Sequence, residues 1–165
     1  MGVGVQGNAN SSFVFGDGSN DSAIAFGGNS ITNPSDERVK EDIQDSSAGL
    51  SFIKDLRPVT FRYRKEKDIS SELNAYKEGS EKRAVNDKVN HGFIAQEVKA
   101  VIDAHSEIKD GIGIWQEDES DGRQRLGITD METILVKAVQ ELSEKCDSLQ
   151  NEINELKRIL ETYVN

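Results

Sequence analysis

Apolar residues in the last third of the chain recur in alternating steps of four and three. The series is Leu135, Val139, Leu142, Cys146, Leu149, Ile153, Leu156, Leu160 and Tyr163. This heptad spacing lines one side of a helix and predicts a coiled-coil helix over 131–165, capped by Thr129 or Asp130. The alternative is an amphipathic helix packed on its own domain. β-Branched residues at one seam position favour two strands, but Cys146 and Leu160 weaken that preference and leave the number of copies open.

The first 34 residues repeat with a period of 11. Residues 10–19 align with residues 21–30, and each copy holds a short β run that ends at Phe-Gly before a Gly/Asn/Ser turn. Repeats this short bury their apolar side chains only by stacking on neighbours or on other chains. They predict the end of a β-rich fibre stalk, solenoid-like or interwoven, cut from a longer fibrous protein. The alternative is a flexible Gly-rich linker.

The segment between these two regions, residues 35–130, predicts a small mixed domain. The expected elements are a helix at 36–45 capped by Ser35 or Asp36, a helix at 48–56, a strand at 59–64, a strand at 92–95, a helix at 96–105 and a hairpin over 112–128. Residues 65–90 carry mixed charges and few apolar side chains, which predicts a solvated surface arm. The predicted fold class is α+β, mainly helical, with a long C-terminal coiled-coil helix.

Composition changes this picture by pointing to partner subunits. Only 35% of the 165 residues are hydrophobic, and the mean hydropathy is −0.60, so a single copy would have a thin core. The net charge of −10 argues against nucleic-acid binding, which needs a basic surface. No apolar run approaches the roughly 18 residues of a membrane span, and no signal peptide is recognisable, so we expect a soluble cytoplasmic product without a membrane partner.

The chemistry expected of the side chains is correspondingly limited. A single cysteine, Cys146, excludes an intrachain disulfide framework and a Cys-cluster metal site, and two histidines without spaced partners argue against a zinc site. His91 and His105 are expected to be ordinary structural residues. Of the two, His91 is the better candidate for a catalytic role, because it adjoins a distinctive apolar strand. Trp115 is predicted to be a core or interface anchor.

The sharpest candidate site lies at the boundary between the uncharged and charged parts of the chain. Pro34 ends the β stalk because it cannot donate to a strand ladder. Ser35 and Lys40 follow, and a neutral lysine amine can act as the base that activates a serine hydroxyl. Positions five apart lie about 140° apart on a regular helix, so Ser35 must lie outside the helix with Lys40 reaching back. The alternative role of Ser35 is that of a helix cap.

The charges around Lys40 act in opposite directions on its protonation. Arg38 favours the uncharged amine that catalysis requires, whereas nearby carboxylates favour the ammonium form. The carboxylates closest in sequence are Glu37, Glu41 and Asp42. Spacing alone therefore leaves the Ser-Lys pair an open hypothesis.

Four motifs in order carry a resemblance to a known family. They are Ser35-Asp36-Glu37-Arg38-Val39-Lys40, Leu56-Arg57-Pro58-Val59-Thr60-Phe61, Gly92-Phe93-Ile94-Ala95-Gln96-Glu97-Val98 and Ala138-Val139-Gln140-Glu141-Leu142. Together they resemble the C-terminal intramolecular chaperone domain of phage tail spikes, tail fibres and neck appendages, of the endosialidase type. The resemblance covers residues 33–160.

The resemblance implies a homotrimer that helps its own N-terminal fibre stalk to fold and then cuts itself off. By analogy the cleaved bond is Pro34-Ser35, with Ser35 as nucleophile and Lys40 as general base. Asp36 and Arg38 match further motif positions and are expected to orient the junction or stabilise charge. Glu37 and His91 are additional supporting candidates. No cofactor is implied. The chain is expected to be made in a host bacterial cytoplasm, with the parent fibre in the virion and the chaperone part released.

Two other functions remain open at this point. A non-catalytic trimeric tip of a fibre or adhesin would use the same coiled coil, with Ser35 only a helix cap. A receptor-binding tip would engage host molecules through the arm at 65–90 and Trp115. The cleavage of the bond before Ser35 separates the first function from these two.

Overall fold

The computed structural model describes residues 12–15, 22–25, 35–108, 113–127 and 129–164. They belong to two compact units, residues 1–45 and 46–165. The elements in chain order are β1 (Ser12–Phe15), β2 (Ser22–Ala25), a 3₁₀ turn (Glu37–Val39), α1 (Leu50–Asp55), β3 (Val59–Phe61), a second 3₁₀ turn (Glu66–Asp68), β4 (Asn90–Gly92), α2 (Ala95–Ala104), β5 (Trp115–Glu117), β6 (Gln124–Leu126) and α3 (Thr129–Val164). The predicted α+β class with a long C-terminal helix is confirmed.

In the first unit, the two 11-residue copies each supply one short strand, as predicted. β1 and β2 pair antiparallel, with Ser12 opposite Ala25 and Phe15 opposite Ser22. A solenoid stacks successive copies in parallel, so the antiparallel pairing differs from the solenoid-like part of the prediction. A short connection allows consecutive strands to reverse direction and pair in this way. The rest of the predicted stalk, including Pro34, lies outside the described residues.

The helix predicted at 36–45 is wrong. The structure has one 3₁₀ turn there, and Lys40 after it is extended, with φ −121° and ψ 145°. Asp42 then adopts a left-handed conformation with φ 52°, which a continuing α-helix does not accommodate. Every side chain from residue 35 to residue 47 is exposed, so no packed apolar face stabilises a longer helix.

The second unit is built around a small apolar core. Phe52, Ile114 and Val98 are its fully buried side chains. The other buried members are Ala48, Leu56, Ile102, Ile108, Ile134 and Ala138. They come from α1, α2 and the first turns of α3, with residues beside the β5–β6 hairpin. The core is thin, as the composition predicts.

The helices α1 and α2 confirm predictions within two residues at each end. α1 ends at Asp55 because the chain must become extended before Pro58. Its N-terminus is capped from a distance, since the Leu50 backbone N–H donates to the Glu141 carboxylate of α3 at 2.9 Å. α2 buries Val98 and Ile102, one turn apart on one face.

Two small antiparallel pairs complete the second unit. Val59 of β3 lies opposite Gly92 of β4, and Trp115 of β5 lies opposite Leu126 of β6. The β5–β6 hairpin confirms the prediction, with Gly122 supplying a positive φ of 68° in its turn. The strand predicted at 92–95 is wrong in position, because β4 spans Asn90–Gly92. It ends at Gly92, because the Ile94 carbonyl accepts the first backbone hydrogen bonds of α2.

The mixed-charge segment at 65–90 forms an exposed excursion between β3 and β4. Its two limbs are joined by backbone hydrogen bonds, from Glu66 N to Lys82 O at 2.8 Å and from Ala84 N to Arg64 O at 3.0 Å. The segment contacts the β5–β6 turn where the Asn74 backbone N–H donates to Asp121 at 3.0 Å. No side chain in it is buried.

The long helix α3 has two different parts. From Met131 to Ala138 it packs on the core, with Ile134 and Ala138 only 3% and 5% exposed. All side chains from 142 to 163 are exposed, including the apolar heptad series. Among the described residues, no helix is both long and apolar enough to cross a membrane.

Candidate active site

The side chains of Ser35 and Lys40 meet in the first unit. Lys40 Nζ lies 2.8 Å from Ser35 Oγ, which is hydrogen-bond distance. The 3₁₀ turn between them brings this about. The Val39 N–H donates to the Asp36 carbonyl at 3.1 Å and the Lys40 N–H donates to the Glu37 carbonyl at 3.0 Å. The extended backbone of Lys40 then lets its side chain reach back, as the spacing argument required.

Asp36 caps this turn and also holds Arg38. Its Oδ1 accepts from the Arg38 backbone N–H and from Arg38 Nε, each at 2.9 Å, and its Oδ2 accepts from Arg38 Nη2 at 2.6 Å. The side-chain hydrogen bond from Arg38, followed by the backbone one, lowers the pKa of Asp36. The same carboxylate raises the pKa of Arg38. The helix-capping role considered for Ser35 therefore belongs to Asp36.

The Ser35–Lys40 contact can carry proton transfer in either direction. A protonated amine donates to the serine oxygen, whereas an uncharged amine accepts the hydroxyl proton across the same distance. Within the described part of the chain, Lys40 makes no ion pair with a carboxylate. Both side chains are exposed, so water has access to them. The arrangement can therefore activate a serine hydroxyl and admit water afterwards.

The remaining predicted site residues are placed as follows. Glu37 begins the 3₁₀ turn and contributes its carbonyl, while its side chain is exposed. His91 lies in the second unit on β4, exposed and opposite Thr60. Its catalytic role stays a prediction. Trp115 packs against the core and donates from Nε1 to Gln124 at 3.1 Å, which confirms that it is an anchor.

The sequence predicts an ordinary structural role for His105, but its imidazole ring contacts two carboxylates and an aromatic ring. Its Nδ1 lies 2.8 Å from a Glu107 carboxylate oxygen, and its Nε2 lies 2.9 Å from Asp55. The ring also meets Phe52 edge-on, with 5.5 Å between centroids. Glu107 first, and Asp55 second, raise the pKa of His105. Asp55 is 50 positions away, so no local pattern reveals the pair.

No metal centre stands out in the described ranges. No group of three or more His, Cys, Asp or Glu residues there is arranged to hold an ion. Glu141, which caps α1, is the other residue whose structural role the sequence left unassigned, although it falls in the fourth motif.

Comparison with known proteins matches this part of the chain to one family. Residues 35–107 match the sequence model of a peptidase family described as the chaperone of endosialidase. No curated protein matches the chain. The match begins at Ser35 and includes three of the four motifs that carry the resemblance, while the motif at 138–142 lies beyond it. Over residues 35–107 the chain is therefore similar to the chaperone-of-endosialidase family.

Proposed function

We propose that this chain is an intramolecular chaperone that forms a homotrimer, assists the folding of the β-rich fibre preceding it, and then cuts its own backbone between Pro34 and Ser35. The observation that carries the proposal is the 2.8 Å contact between Lys40 Nζ and Ser35 Oγ. This contact lies at the first residue of the family match. The peptidase character of the family and the access of water support it.

The proposed reaction proceeds in two steps. Ser35 Oγ attacks the Pro34 carbonyl carbon while the uncharged Lys40 amine accepts the hydroxyl proton. The Pro34 C–Ser35 N bond then breaks, the Lys40 ammonium returns the proton, and Ser35 keeps a free amine beside a new ester. Water attacks that ester, which releases the Pro34 carboxyl group and restores the Ser35 hydroxyl. The net change is hydrolysis of one peptide bond, once per chain.

This chemistry sets the direction of the pH dependence. Only an uncharged Lys40 amine can accept the hydroxyl proton, so the cleavage rate should rise with pH.

The proposed trimer is supported by the apolar surface left on α3. Leu142, Leu149, Leu156 and Leu160 are each more than half exposed in the single chain. Exposed leucines at heptad spacing gain roughly 1–2 kcal/mol each when half of their surface is buried. Over the first turns, α3 has a second apolar face against its own core, so the seam remains available for other copies.

A trimeric coiled coil gives the chaperone role a physical basis. Short Gly-rich strands have weakly specified register, and their edges pair readily with wrong partners. Three chains held together by α3 raise the effective concentration of the adjoining stalk strands, which lowers the entropy cost of correct pairing. In this proposal the parent fibre belongs to a phage virion, the partner is the chain's own stalk, and the chaperone part leaves after cleavage.

The experiment that tests the proposal compares the purified chain with Ser35→Ala, Lys40→Ala and Lys40→Arg on denaturing gels, with N-terminal sequencing of the products. We expect cleavage of the parent with a new N-terminus at Ser35, and intact chains for all three variants. The rate should be independent of protein concentration once the trimer has formed. Cleavage that persists in Ser35→Ala would rule out the Ser35 mechanism, and absence of cleavage in a folded parent would favour the non-catalytic tip.

A further inference from the structure

We propose that Asp36 and Arg38 are positioning residues, a clamp that holds the Glu37–Val39 turn in the shape that delivers Lys40 to Ser35. The inference rests on the proposed self-cleavage and adds a role that the sequence left open. It concerns the rate of the reaction and not its chemistry, because neither side chain contacts the Ser35 hydroxyl or the Lys40 amine.

The clamp consists of three hydrogen bonds from one residue, Arg38, to the Asp36 carboxylate. Arg38 offers three donors to Asp36, its backbone N–H, Nε and Nη2, and the three distances are between 2.6 and 2.9 Å. The side-chain pair fixes the guanidinium, and the backbone bond fixes the peptide that follows Glu37. Side chain and main chain are therefore locked by the same group.

The turn needs such a clamp because little else holds it. It is a single 3₁₀ turn with no buried residue. Isolated 3₁₀ turns have poor hydrogen-bond geometry and do not persist without support. An exposed ion pair alone contributes little to stability. The hydrogen bond from the Arg38 backbone N–H to Asp36 Oδ1 adds to the ion pair, because it stops the Arg38 peptide from rotating out of the turn.

The position of the clamp links it to the reacting groups. Ser35 immediately precedes Asp36, and Lys40 follows Arg38 by two residues. Loosening the turn frees both ends of the Ser35–Lys40 contact, and Lys40 then samples many rotamers away from the hydroxyl. Misplacement of a catalytic group by about 1 Å can lower a rate by roughly 100-fold. For a partly loosened, exposed turn we expect about a tenfold loss.

The test measures self-cleavage during a pulse and chase in cell-free synthesis. Labelled phenylalanine marks both products equally, because three of the six phenylalanines precede Ser35 and three follow it. The variants are Arg38→Ala and Asp36→Asn. Asp45→Asn, the same chemical change at an exposed carboxylate outside the turn, is the matched control.

We expect both clamp variants to cleave about tenfold more slowly than the parent and the Asp45→Asn control to cleave within twofold of it. The loss should be the same factor at every pH between about 7 and 9, because a positioning residue leaves the protonation of the base unchanged. Arg38→Lys, which keeps the charge but loses the fork, should give an intermediate rate. It also keeps the test valid if Arg38→Ala assembles poorly.

Three outcomes are distinguishable. No cleavage of the parent refutes the proposed function itself. Cleavage of the parent with unchanged rates in Arg38→Ala and Asp36→Asn refutes the clamp alone. A loss in Arg38→Ala that disappears at higher pH also refutes the clamp, because it shows that Arg38 acts through its charge on Lys40 and not through the geometry of the turn.

Discussion

The contact between Glu141 and the start of α1 gives the most detailed prediction about the fold. α1 has only six residues, and Gly49 at its N-cap position has no side chain to cap it. The Glu141 carboxylate of α3 takes that role, at 2.9 Å from Leu50 N across 91 positions of sequence. It joins α3 to α1, the first helix of the second unit, so the start of α1 depends on α3.

The magnitude follows from the loss of one partly buried cap. Removing a helix cap costs about 1 kcal/mol, and the attraction between the carboxylate and the partial positive charge at the helix N-terminus adds a few tenths. Glu141→Ala should therefore lower the free energy of unfolding by about 1–1.5 kcal/mol. For a unit of this size the loss corresponds to roughly 3–6 °C in melting temperature.

Gly49 provides an independent check on the same contact. A Cβ added at Gly49 would lie 2.5 Å from a Glu141 carboxylate oxygen, so Gly49→Ala displaces the cap. Gly49→Ala should destabilise the parent but cost little in a Glu141→Ala chain, where the space is free. The two substitutions are thus expected to be non-additive by about 1 kcal/mol.

The assay is urea unfolding followed by circular dichroism at one fixed chain concentration, because an oligomer's stability depends on it. All chains carry Ser35→Ala so that their covalent length is equal. Glu144→Ala, at an exposed position of the same helix, is the control and should change the unfolding free energy by under about 0.5 kcal/mol. Equal effects of Glu141→Ala and Glu144→Ala, or strict additivity with Gly49→Ala, would refute the capping argument.

Two further predictions concern pH and assembly. His105 has a raised pKa in the folded chain, so the folded state holds more protons than the unfolded state as pH rises above the usual histidine value of about 6.5. The free energy of unfolding should fall through that window, and His105→Gln should remove the slope in urea titrations at several pH values. Leu149 is 58% exposed on α3, so Leu149→Asp removes roughly 1–2 kcal/mol of burial per chain and places charge in the seam. Sedimentation equilibrium should show dissociation of Leu149→Asp at micromolar concentration, while Asn151→Asp, off the seam, stays assembled; equal association of the two variants would contradict the seam.

Patterns with local causes were predictable from the sequence. The heptad series gave α3, the apolar spacing gave α1 and α2, and Asp-Gly chemistry gave the β5–β6 turn. These elements depend on side chains within a few positions of one another, where periodicity carries the information.

The errors arose where a distant or absent partner decides the structure. Acidic residues after Ser35 favour a helix start, but no core lies under residues 36–45, so only the capped 3₁₀ turn forms. The strand end at Gly92 depends on pairing with β3 and on the start of α2. Asp55, one of the two carboxylate partners of His105, lies 50 positions from it, and Glu141 lies 91 positions from Leu50, beyond any local pattern. The Ser35–Lys40 contact spans only five positions and could be proposed from its spacing, but its distance depends on the 3₁₀ turn that replaces the predicted helix.

The central claim is that the chain hydrolyses its own Pro34-Ser35 bond, and intact mass spectrometry under denaturing conditions tests it most directly. We expect two species from the purified parent, residues 1–34 and residues 35–165, and one full-length species from Ser35→Ala. Denaturation separates products that remain associated after cleavage. A folded, assembled parent that shows only the full-length mass after prolonged incubation would contradict the account.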